Sequence, residues 1–322
     1  MGHVYLSRSV GNAVEEFTPQ LGRELRIGSQ SSAPPSREEF LDGVRGAEAI
    51  ISLVTDRIDA ETLDAAGDQL KIVANVGVGY DNIDVDTATE RGVTVTNTPG
   101  VLDDAVADLT LALILASTRR VVESDRRIRT GEPWIWGPQD YVGLQISAGA
   151  TLGIVGLGRI GMAVAKRAAA FGMDIIATGR RAHNDDAAAL GVRPAELPDL
   201  LATSNVVSLH CPLKPETRHL INGDTLAQMK PGSHLINTGR GPLVDEEALA
   251  DALASGHLAG AGLDVHEFEP ETNPRLRAMD QVVLLHHIGS AGDKTRYDMA
   301  SLAFRNMVAV LNGEDPLTPV SS

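Results

Sequence analysis

Three side chains with complementary chemistry follow strand-like segments in the second half of the chain: Arg240, Glu269 and His287. Histidine has an ordinary pKa of about 6.5 and can exchange a proton near neutral pH. A carboxylate beside an imidazole favours its protonated form, and a guanidinium can clamp a carboxylate and polarise a carbonyl group. Each residue alone has an ordinary explanation, as a surface ion pair, a turn or a packed corner. Their joint placement predicts one catalytic site, because parallel strands end at the same edge of a sheet.

A glycine fingerprint precedes these residues and predicts a dinucleotide site. It has the spacing G-x-G-x-x-G and lies between the strand-like Thr151–Val155 and the helix-like Met162–Phe171. Such glycines allow a tight turn, a close approach of the backbone to a pyrophosphate, and close helix–strand packing. The N-terminus of the helix then offers free N–H groups to the anion. The residues predicted to bind the cofactor here are Gly156, Leu157, Gly158, Arg159, Ile160 and Gly161.

The end of the next strand indicates which nicotinamide cofactor is bound. An NAD site commonly presents an acidic residue there to the ribose hydroxyls. The strand-like Asp174–Thr178 is followed instead by Gly179, Arg180 and Arg181. Two guanidinium groups match the geometry of a 2′-phosphate. We therefore predict that these three residues bind NADP(H) in preference, with NAD(H) possible; a pair of solvated arginines is the alternative.

The two sets of residues together predict a hydride transfer coupled to a proton transfer. The oxidation of a 2-hydroxy acid and the reduction of a 2-oxo acid each move one hydride and one proton. The nicotinamide would carry the hydride and His287 the proton, with Glu269 orienting the ring. Arg240 would clamp the substrate carboxylate and stabilise the developing alkoxide. The predicted partner is therefore a small 2-oxo or 2-hydroxy acid, and no metal site is predicted.

Short β-rich segments alternate with Ala- and Leu-rich segments, which predicts an α/β fold with parallel sheets. The predicted strands are His3–Leu6, Ala49–Val54, Lys71–Val76, Val93–Thr96, Thr151–Val155, Asp174–Thr178, Val206–His210, His234–Asn237, Gly260–Asp264 and Val282–His286. The predicted helices are Glu61–Ala66, Val85–Arg91, a long stretch from about Leu102 to Thr130, Met162–Phe171 and Lys294–Leu311. Gly131–Gly149 is predicted as a loop. The spacing leaves open which domain the last helix packs on.

Composition and charge exclude several other classes of protein. The chain of 322 residues has room for about two domains, and its 43% of hydrophobic residues provide for buried cores. The formal net charge of −15 disfavours a nucleic-acid or anionic-membrane surface. The single cysteine, Cys211, fits a reducing compartment, and Met1–Arg8 lacks the apolar core of a signal peptide. We therefore expect a cytoplasmic protein without a membrane span.

The chain resembles the D-isomer-specific 2-hydroxyacid dehydrogenases over nearly its full length. Besides the fingerprint, the matching motifs are Val76-Gly-Val-Gly-Tyr-Asp-Asn-Ile-Asp84, Asn97-Thr-Pro-Gly100, His210-Cys-Pro-Leu213, Asn237-Thr-Gly-Arg-Gly-Pro-Leu-Val-Asp245, Gly260-Ala-Gly-Leu-Asp-Val265, Glu269-Pro270 and His287-Ile-Gly-Ser-Ala291. The resemblance implies two Rossmann-like domains. Residues 1–99 plus 289–322 would form a flavodoxin-like substrate domain, and residues 100–288 a doubly wound, parallel-sheet dinucleotide-binding domain. Within the family, Thr178-Gly-Arg-Arg181 and Trp136-Gly-Pro138 are most similar to the glyoxylate/hydroxypyruvate reductases.

The resemblance also implies roles that the spacing does not show. The implied substrate-binding residues are Leu53, Val76, Gly77, Trp136 and Arg240. The implied further cofactor-binding residues are Cys211, Pro212, Thr238, Gly239, Asp264, His287 and Gly289. Asp264 would hold the nicotinamide carboxamide, and the backbone amides of Val76 and Gly77 would hold the substrate carboxylate. Family members are typically homodimers, and Trp136 would then reach the active site of the other subunit.

Two positions depart from the family pattern. His286 stands where the family usually has proline, which creates a pair of adjacent histidines, and His266 stands where phenylalanine is common. His287 is assigned the catalytic role because it is the histidine joined to Ile-Gly-Ser. Neither departure removes a catalytic group.

Several other functions are alternatives. Phosphoglycerate dehydrogenase-like, D-lactate-type and broad 2-oxo acid enzymes share the chemistry. The short segment after His287 and the missing acidic residue of NAD sites disfavour phosphoglycerate dehydrogenases, and a formate dehydrogenase would need a differently furnished pocket. A dinucleotide-sensing binding protein or corepressor is an alternative of another class. The intact set of arginine, glutamate and histidine argues against a purely binding role.

Overall fold

The computed structural model describes residues 2–31 and 33–320. Residues 1, 32, 321 and 322, which the predicted substrate domain includes, lie outside the described residues. The chain divides into two compact units, one formed by Met1–Leu102 with Ala291–Ser322 and the other by Asp103–Ser290. Each unit is built on a parallel sheet, which confirms the predicted α/β class. The division of substrate and cofactor roles between the two domains remains a prediction.

The first unit is built on five described strands, all parallel. These strands are β1 (His3–Arg8), β2 (Glu24–Ser29), β3 (Ala47–Leu53), β4 (Ile72–Val76) and β5 (Thr94–Thr96). The helices between them are α1 (Asn12–Phe17), α2 (Arg37–Val44), α3 (Ala60–Ala66) and α4 (Val85–Glu90). The strand order is β2-β1-β3-β4-β5. The central strands β3 and β4 are rich in Ile, Val and Ala and almost wholly buried, as is usual for parallel strands covered on both faces.

The sequence patterns do not predict β2, α1 or α2. In β2 exposed and half-buried residues alternate, and the charged Glu24 and Arg26 weaken the apolar pattern of this edge strand. Helix α2 begins with a capping box, in which the Ser36 hydroxyl accepts from the Glu39 N–H at 3.3 Å. The Glu39 carboxylate accepts from the Ser36 N–H at 2.8 Å. The corresponding S-x-x-E signature is local and could have indicated the start of this helix.

The second unit is built on a larger parallel sheet. Its strands are β6 (Thr151–Val155), β7 (Asp174–Ala177), β8 (Arg193–Pro194), β9 (Val206–Leu209), β10 (His234–Asn237), β11 (Gly260–Leu263) and β12 (Val282–Leu284). Its helices are α5 (Asp103–Thr118), α6 (Val121–Arg129), α7 (Arg159–Ala170), α8 (Asp185–Ala189), α9 (Leu197–Thr203), α10 (Gly223–Gln228), α11 (Glu246–Ala254) and α12 (Pro274–Arg277). The order β12-β11-β10-β9-β6-β7-β8 reverses between β6 and β9. Ligands of open α/β sheets bind outside the carboxyl ends of the strands at such a reversal.

The long helical stretch expected before residue 130 is two helices, and the continuous prediction was wrong. Arg120 lies between α5 and α6 with a φ of 53°, a left-handed conformation that a right-handed helix cannot contain. The carbonyl of Thr118 accepts instead from the N–H of Leu144, which returns from the following loop. A Cβ atom on Gly143 would lie 2.1 Å from that carbonyl oxygen, so only glycine allows this approach. Neither helix, nor any other among the described residues, is long and apolar enough to cross a membrane.

The last helix, α13 (Asp293–Leu311), belongs to the first unit. It packs on β3 and β4, and the ring of Phe304 stacks on that of Phe17 in α1 with centroids 5.3 Å apart. Within this helix, Asn306 exchanges two hydrogen bonds, of 2.8 and 2.9 Å, with Thr318 in the segment that follows it. The Thr318 hydroxyl also donates to the carbonyl of Asn97. These contacts settle the placement that the spacing left open.

His234 is buried within β10, with its Nδ1 atom 2.8 Å from the hydroxyl of Ser117 in α5. Burial lowers the pKa of His234 to about 4. In the unfolded chain the same side chain titrates near its ordinary value of about 6.5. The unfolded state therefore takes up the proton first. The stability associated with the neutral ring is complete above the ordinary pKa and is lost as the pH falls towards the folded value.

We expect His234→Gln to lose less stability than the native protein when the pH falls from about 7 to about 4.5. The difference in the free energy of unfolding should be on the order of 2 kcal/mol, measured by urea unfolding at both pH values. His183 is exposed, so His183→Gln is the matched control and should keep the native pH dependence. The same pH dependence in His234→Gln and the native protein would contradict the burial of a neutral ring.

Candidate active site

The three predicted catalytic residues follow three neighbouring strands. Arg240 follows β10, Glu269 follows β11 and His287 follows β12, and β11 pairs in parallel with both other strands. The three chain segments therefore leave the sheet at the same carboxyl edge. The sequence prediction of one shared edge is confirmed, although the catalytic roles of the residues remain predictions.

His287 and Glu269 form a hydrogen-bonded pair. The His287 Nδ1 atom lies 2.9 Å from the Glu269 Oε2 atom, and both side chains are about one-third exposed. The other oxygen of Glu269 accepts from the backbone N–H of His266 at 3.1 Å. Burial acts to raise the pKa of Glu269, but the hydrogen bond and charge of His287, with those of His266, lower it overall. Glu269 is thus an anion near neutral pH, and its hydrogen bond with Nδ1 fixes the orientation of the His287 ring.

The backbone of His287 is held by Asp264. His287 has a φ of 61°, an unusual left-handed conformation for a residue other than glycine. Its N–H donates to the carbonyl of Asp264, and the buried Asp264 carboxylate accepts from Ile288 N–H at 2.7 Å and from Gly289 N–H at 2.8 Å. Both carboxylate oxygens therefore bind the turn that presents His287. The predicted contact of Asp264 with a nicotinamide carboxamide is not tested by these bonds and remains a prediction.

Arg240 is positioned by the turn that follows β10. The side chain of Asn237 closes this turn: its Nδ2 donates to the Arg240 carbonyl at 2.8 Å, and its Oδ1 accepts from the Gly239 N–H at 3.0 Å. A Cβ atom on Gly241 would lie 1.8 Å from the carbonyl oxygen of His266, so glycine is required where the two loops meet. The positioning roles of Asn237 and Gly241 were not predicted from the sequence. Two features of the sequence could have indicated these roles: Asn237 ends a predicted strand, and Gly241 directly follows Arg240.

The glycine fingerprint forms the turn expected for a dinucleotide. Gly156 has a φ of 97°, and a Cβ on it would lie 2.6 Å from the backbone nitrogen of Cys211 after β9. A Cβ on Gly161 would lie 2.4 Å from the carbonyl oxygen of Gly156. Gly158 is the N-cap of α7 and makes no side-chain cap, and the space above its Cα is open. These features fit a pyrophosphate on the N–H groups that begin α7.

The other three fingerprint residues lie at the turn after β6 and at the start of α7. Leu157 is buried, so it contributes its backbone, and its N–H donates to the carbonyl of Thr178. This bond ties the fingerprint to the end of β7. Arg159 and Ile160 begin α7, and their predicted contacts with the cofactor remain predictions.

The two arginines after β7 differ in their surroundings. Arg181 forms an ion pair with Asp186, with a nitrogen–oxygen distance of 3.0 Å. Arg180 is exposed, and no carboxylate within the described ranges forms an ion pair with it. Gly179, with a φ of 102°, allows the turn between them and β7. Arg180 is therefore the side chain with more freedom to bind an additional anion.

The remaining predicted cofactor residues lie at the carboxyl edge of the same sheet. Cys211 and Pro212 follow β9, and burial raises the pKa of the Cys211 thiol to about 11, so it stays protonated near neutral pH. The Thr238 hydroxyl lies 2.9 Å from that of Thr110 in α5. Gly239 and Gly289 belong to the turns of Arg240 and His287 described above. Their contacts with a cofactor remain predictions.

The predicted substrate residues of the first unit also come together at one strand edge. Leu53 ends β3 and Val76 ends β4, and the two are paired in register. Gly77 follows directly, and a Cβ on it would lie 2.5 Å from the side chain of Val54.

Trp136, the predicted substrate residue of the second unit outside the sheet edge, belongs to the loop after α6 and is 78% exposed on this chain. Its predicted reach into another subunit, and the homodimer itself, remain predictions.

Comparisons with known proteins agree with this arrangement. Residues 111–289 match the family described as D-isomer specific 2-hydroxyacid dehydrogenase, NAD binding domain. A glyoxylate reductase of Thermofilum pendens is 50% identical over 88% of this chain and 84% of its own. The crystal structure of the TT0316 protein from Thermus thermophilus has a TM-score of 0.91 and 46% identity, and covers 99% of this chain and 100% of its own. The NADPH-dependent glyoxylate/hydroxypyruvate reductase from Sinorhizobium meliloti, in complex with NADP and malonate, has a TM-score of 0.84 and 32% identity over 99% and 97%.

The clamp on the turn of His287 can be tested with Asp264→Asn. This variant keeps the shape of the side chain but places an amide N–H against a backbone N–H, so one buried donor loses its acceptor. We expect the free energy of unfolding to fall by about 2–4 kcal/mol, measured by urea unfolding at neutral pH. Asp280 is exposed, and Asp280→Asn, the matched control, should change stability by less than about 1 kcal/mol. Equal stability of the two variants would contradict the clamp.

Proposed function

The chain belongs to the D-isomer specific 2-hydroxyacid dehydrogenases, and from this premise we propose that it reduces glyoxylate and hydroxypyruvate with NADPH. Its class is that of the nicotinamide-dependent oxidoreductases that reduce 2-oxo acids. The observation that carries the proposal is the pair formed by His287 Nδ1 and Glu269 Oε2 at 2.9 Å, beside the turn of Arg240. Relatives named as glyoxylate reductases support the choice of substrate.

His287 is the proton donor in this proposal. A bound nicotinamide dinucleotide supplies the hydride. As charge develops on the substrate carbonyl oxygen, Nε2 of His287 donates its proton to that oxygen, and the product is a 2-hydroxy acid. Glu269 stabilises the imidazolium and, by accepting from Nδ1, directs Nε2 outward. Asp264 keeps the donor in place through the backbone of the same turn.

Arg240 binds the substrate carboxylate and polarises the adjacent carbonyl. A guanidinium presents paired N–H donors that match a carboxylate, and its charge lowers the free energy of the developing alkoxide. We also propose substrate contacts for the backbone amides of Val76 and Gly77 and for the side chains of Leu53 and Trp136. The protein as a whole carries a net charge of −15, so this local positive charge has to overcome an acidic background.

The preference for NADPH rests on the residues after β7. The residues that follow β7 are Gly179, Arg180 and Arg181. None of them is acidic, so they offer no carboxylate to accept hydrogen bonds from the ribose hydroxyls of NAD. Arg180 is exposed and able to bind a 2′-phosphate, whereas Arg181 already pairs with Asp186. A relative solved with NADP, 32% identical to this chain, supports the choice.

The proton-donor role predicts a large loss of turnover in His287→Ala. General acid catalysis typically contributes a factor of about 10²–10⁴, so kcat with glyoxylate and hydroxypyruvate should fall by that order. The affinity for NADPH, measured by fluorescence titration, should fall far less than kcat. His286→Ala is the matched control, because His286 is the exposed neighbouring histidine, and it should keep nearly native turnover. Native turnover in His287→Ala, or no reduction of any 2-oxo acid in a panel by the native protein, would refute the proposal.

The phosphate-binding role predicts that Arg180→Ala discriminates between the two cofactors. Loss of a charged hydrogen bond of about 1.5–3 kcal/mol should raise the KM for NADPH roughly 10- to 100-fold while the KM for NADH stays near its native value. Arg181→Ala should have a smaller effect, because Asp186 already holds its guanidinium. Steady-state kinetics with both cofactors provide the measurement. An equal change in both KM values would exclude a phosphate contact.

A further inference from the structure

His266, one of the two residues that depart from the family pattern, contacts Glu269 of the pair formed by Glu269 and His287. Its ring is almost wholly buried, at 5% exposure, and its Nε2 atom lies 2.7 Å from the carbonyl oxygen of Leu285. Its Nδ1 atom faces the Glu246 Oε1 atom at 3.6 Å. The backbone N–H of His266 donates to Glu269 at 3.1 Å. His266 therefore contacts two carboxylates, the buried one of Glu246 and that of Glu269, which orients His287.

The hydrogen bonds of His266 require a proton between it and Glu246. A carbonyl oxygen only accepts, so Nε2 of His266 carries a hydrogen. In a neutral ring Nδ1 would then carry no hydrogen. Its buried lone pair would have no hydrogen-bond donor and would lie opposite a carboxylate oxygen. Such an arrangement leaves a buried polar atom unsatisfied and adds repulsion. A hydrogen on Nδ1 removes both costs and makes the ring a cation.

Glu246 is placed to be the anion of this pair. It is the first residue of α11, where the N-terminus of the helix favours negative charge. Its Oε1 atom accepts from the backbone N–H of Glu267 at 3.1 Å. The Glu267 side chain is itself engaged by His219, at 2.6 Å, and by Arg218. Glu246 is therefore the carboxylate that faces the His266 ring, whereas Glu269 binds the His266 backbone.

The environment of His266 agrees with a charged ring. Burial, the largest single influence, acts against the charge. The nearby Glu246 carboxylate, the hydrogen bond to the Leu285 carbonyl and the charge of Glu269 outweigh it and raise the pKa of His266 above its ordinary value.

We propose that His266 and Glu246 form a buried ion pair that acts as a positioning element for Glu269 and His287. The inference rests on the proposed function of His287 as proton donor. Glu269 accepts from the backbone N–H of His266 with one oxygen and pairs with His287 through the other, and the charge of His266 acts on the same carboxylate. The shared anion attracts the proton of His287 less strongly than it would alone. The ion pair thereby helps His287 to release its proton during reduction and keeps Glu269 ionised after the proton has left.

The charge of His266 can be measured directly. Protein labelled with nitrogen-15 in its histidines would be recorded by NMR across a pH titration, and the resonances of His266 identified by their absence in His266→Phe. We expect both ring nitrogens of His266 to be protonated at pH about 7, and the ring to remain charged at a pH above that at which an exposed histidine loses its proton. In Glu246→Gln the amide can donate to Nδ1, so the ring should become neutral with the hydrogen on Nε2. A neutral ring in the native protein at pH about 7 would overturn the proposal.

The effect on His287 is read from the pH dependence of kcat/KM for 2-oxo acid reduction. Reduction needs the protonated donor, so the rate falls as the pH rises. We expect this fall to move to higher pH by about 0.5–1 unit in His266→Phe and by a smaller amount in Glu246→Gln, because Glu269 then acts on His287 alone. A merely structural role of His266 would lower the rate at every pH without moving the fall.

His257 provides the matched control for the kinetic experiment. Its Nε2 atom also lies 3.0 Å from a backbone carbonyl, that of Leu226, but it precedes β11 at the opposite edge of the sheet. His257→Phe should leave the pH profile in place. If His287→Ala is inactive and the fall stays in place in both His266→Phe and Glu246→Gln, the present inference is wrong and the proposed function stands. If His287→Ala is fully active, the proposed function is wrong, and this inference with it.

Discussion

The arrangement of the site depends on one buried carboxylate, that of Asp264. Its two oxygens accept hydrogen bonds from the backbone N–H groups of Ile288 and Gly289. The backbone carbonyl of Asp264 accepts a third from the N–H of His287. Three bonds from one residue hold His287 in a left-handed conformation that costs a non-glycine residue on the order of 1 kcal/mol. Because Asp264 directly follows β11, the turn is fixed to the same strand that leads into Glu269. The pairing of the strands thus sets the distance between the His287 imidazole and the Glu269 carboxylate.

Glu269 contacts two histidines in different ways: the His287 ring through Nδ1 and the His266 backbone through its N–H. His287 is partly exposed, whereas the His266 ring is enclosed and faces the Glu246 carboxylate. The hydrogen bonds and charges of both histidines lower the pKa of Glu269, so its carboxylate stays ionised near neutral pH. The protein has a net charge of −15, so an anionic substrate and an anionic cofactor need positive charge nearby if they are to bind beside a carboxylate.

Much of the fold could be predicted from local patterns, and the failures have identifiable causes. Six of the described strands of the second unit are short, largely apolar runs, and their positions follow from the sequence to within a residue or two. The edge strand β8 has only two exposed residues, Arg193 and Pro194, and was not predicted. The edge strand β2 has no such run, since charged residues alternate along it. The break between α5 and α6 depends on a left-handed Arg120 and on Leu144, which binds the end of α5 from a distant part of the chain. No local pattern contains that contact.

The sequence by itself determined the chemistry available to this protein: a glycine fingerprint between a strand and a helix, two arginines where an acid is usual, and an arginine, a glutamate and a histidine after three strands. Those signals are local, because each depends on spacing within a few residues. Only the tertiary structure decided which strands are neighbours, that Arg181 is paired with Asp186 while Arg180 is not, and that His266 faces Glu246 across 20 positions of sequence. The physical reason is that a proton or a charge responds to distances of a few ångströms, and such distances between remote residues are set by the packing of the sheet and its loops.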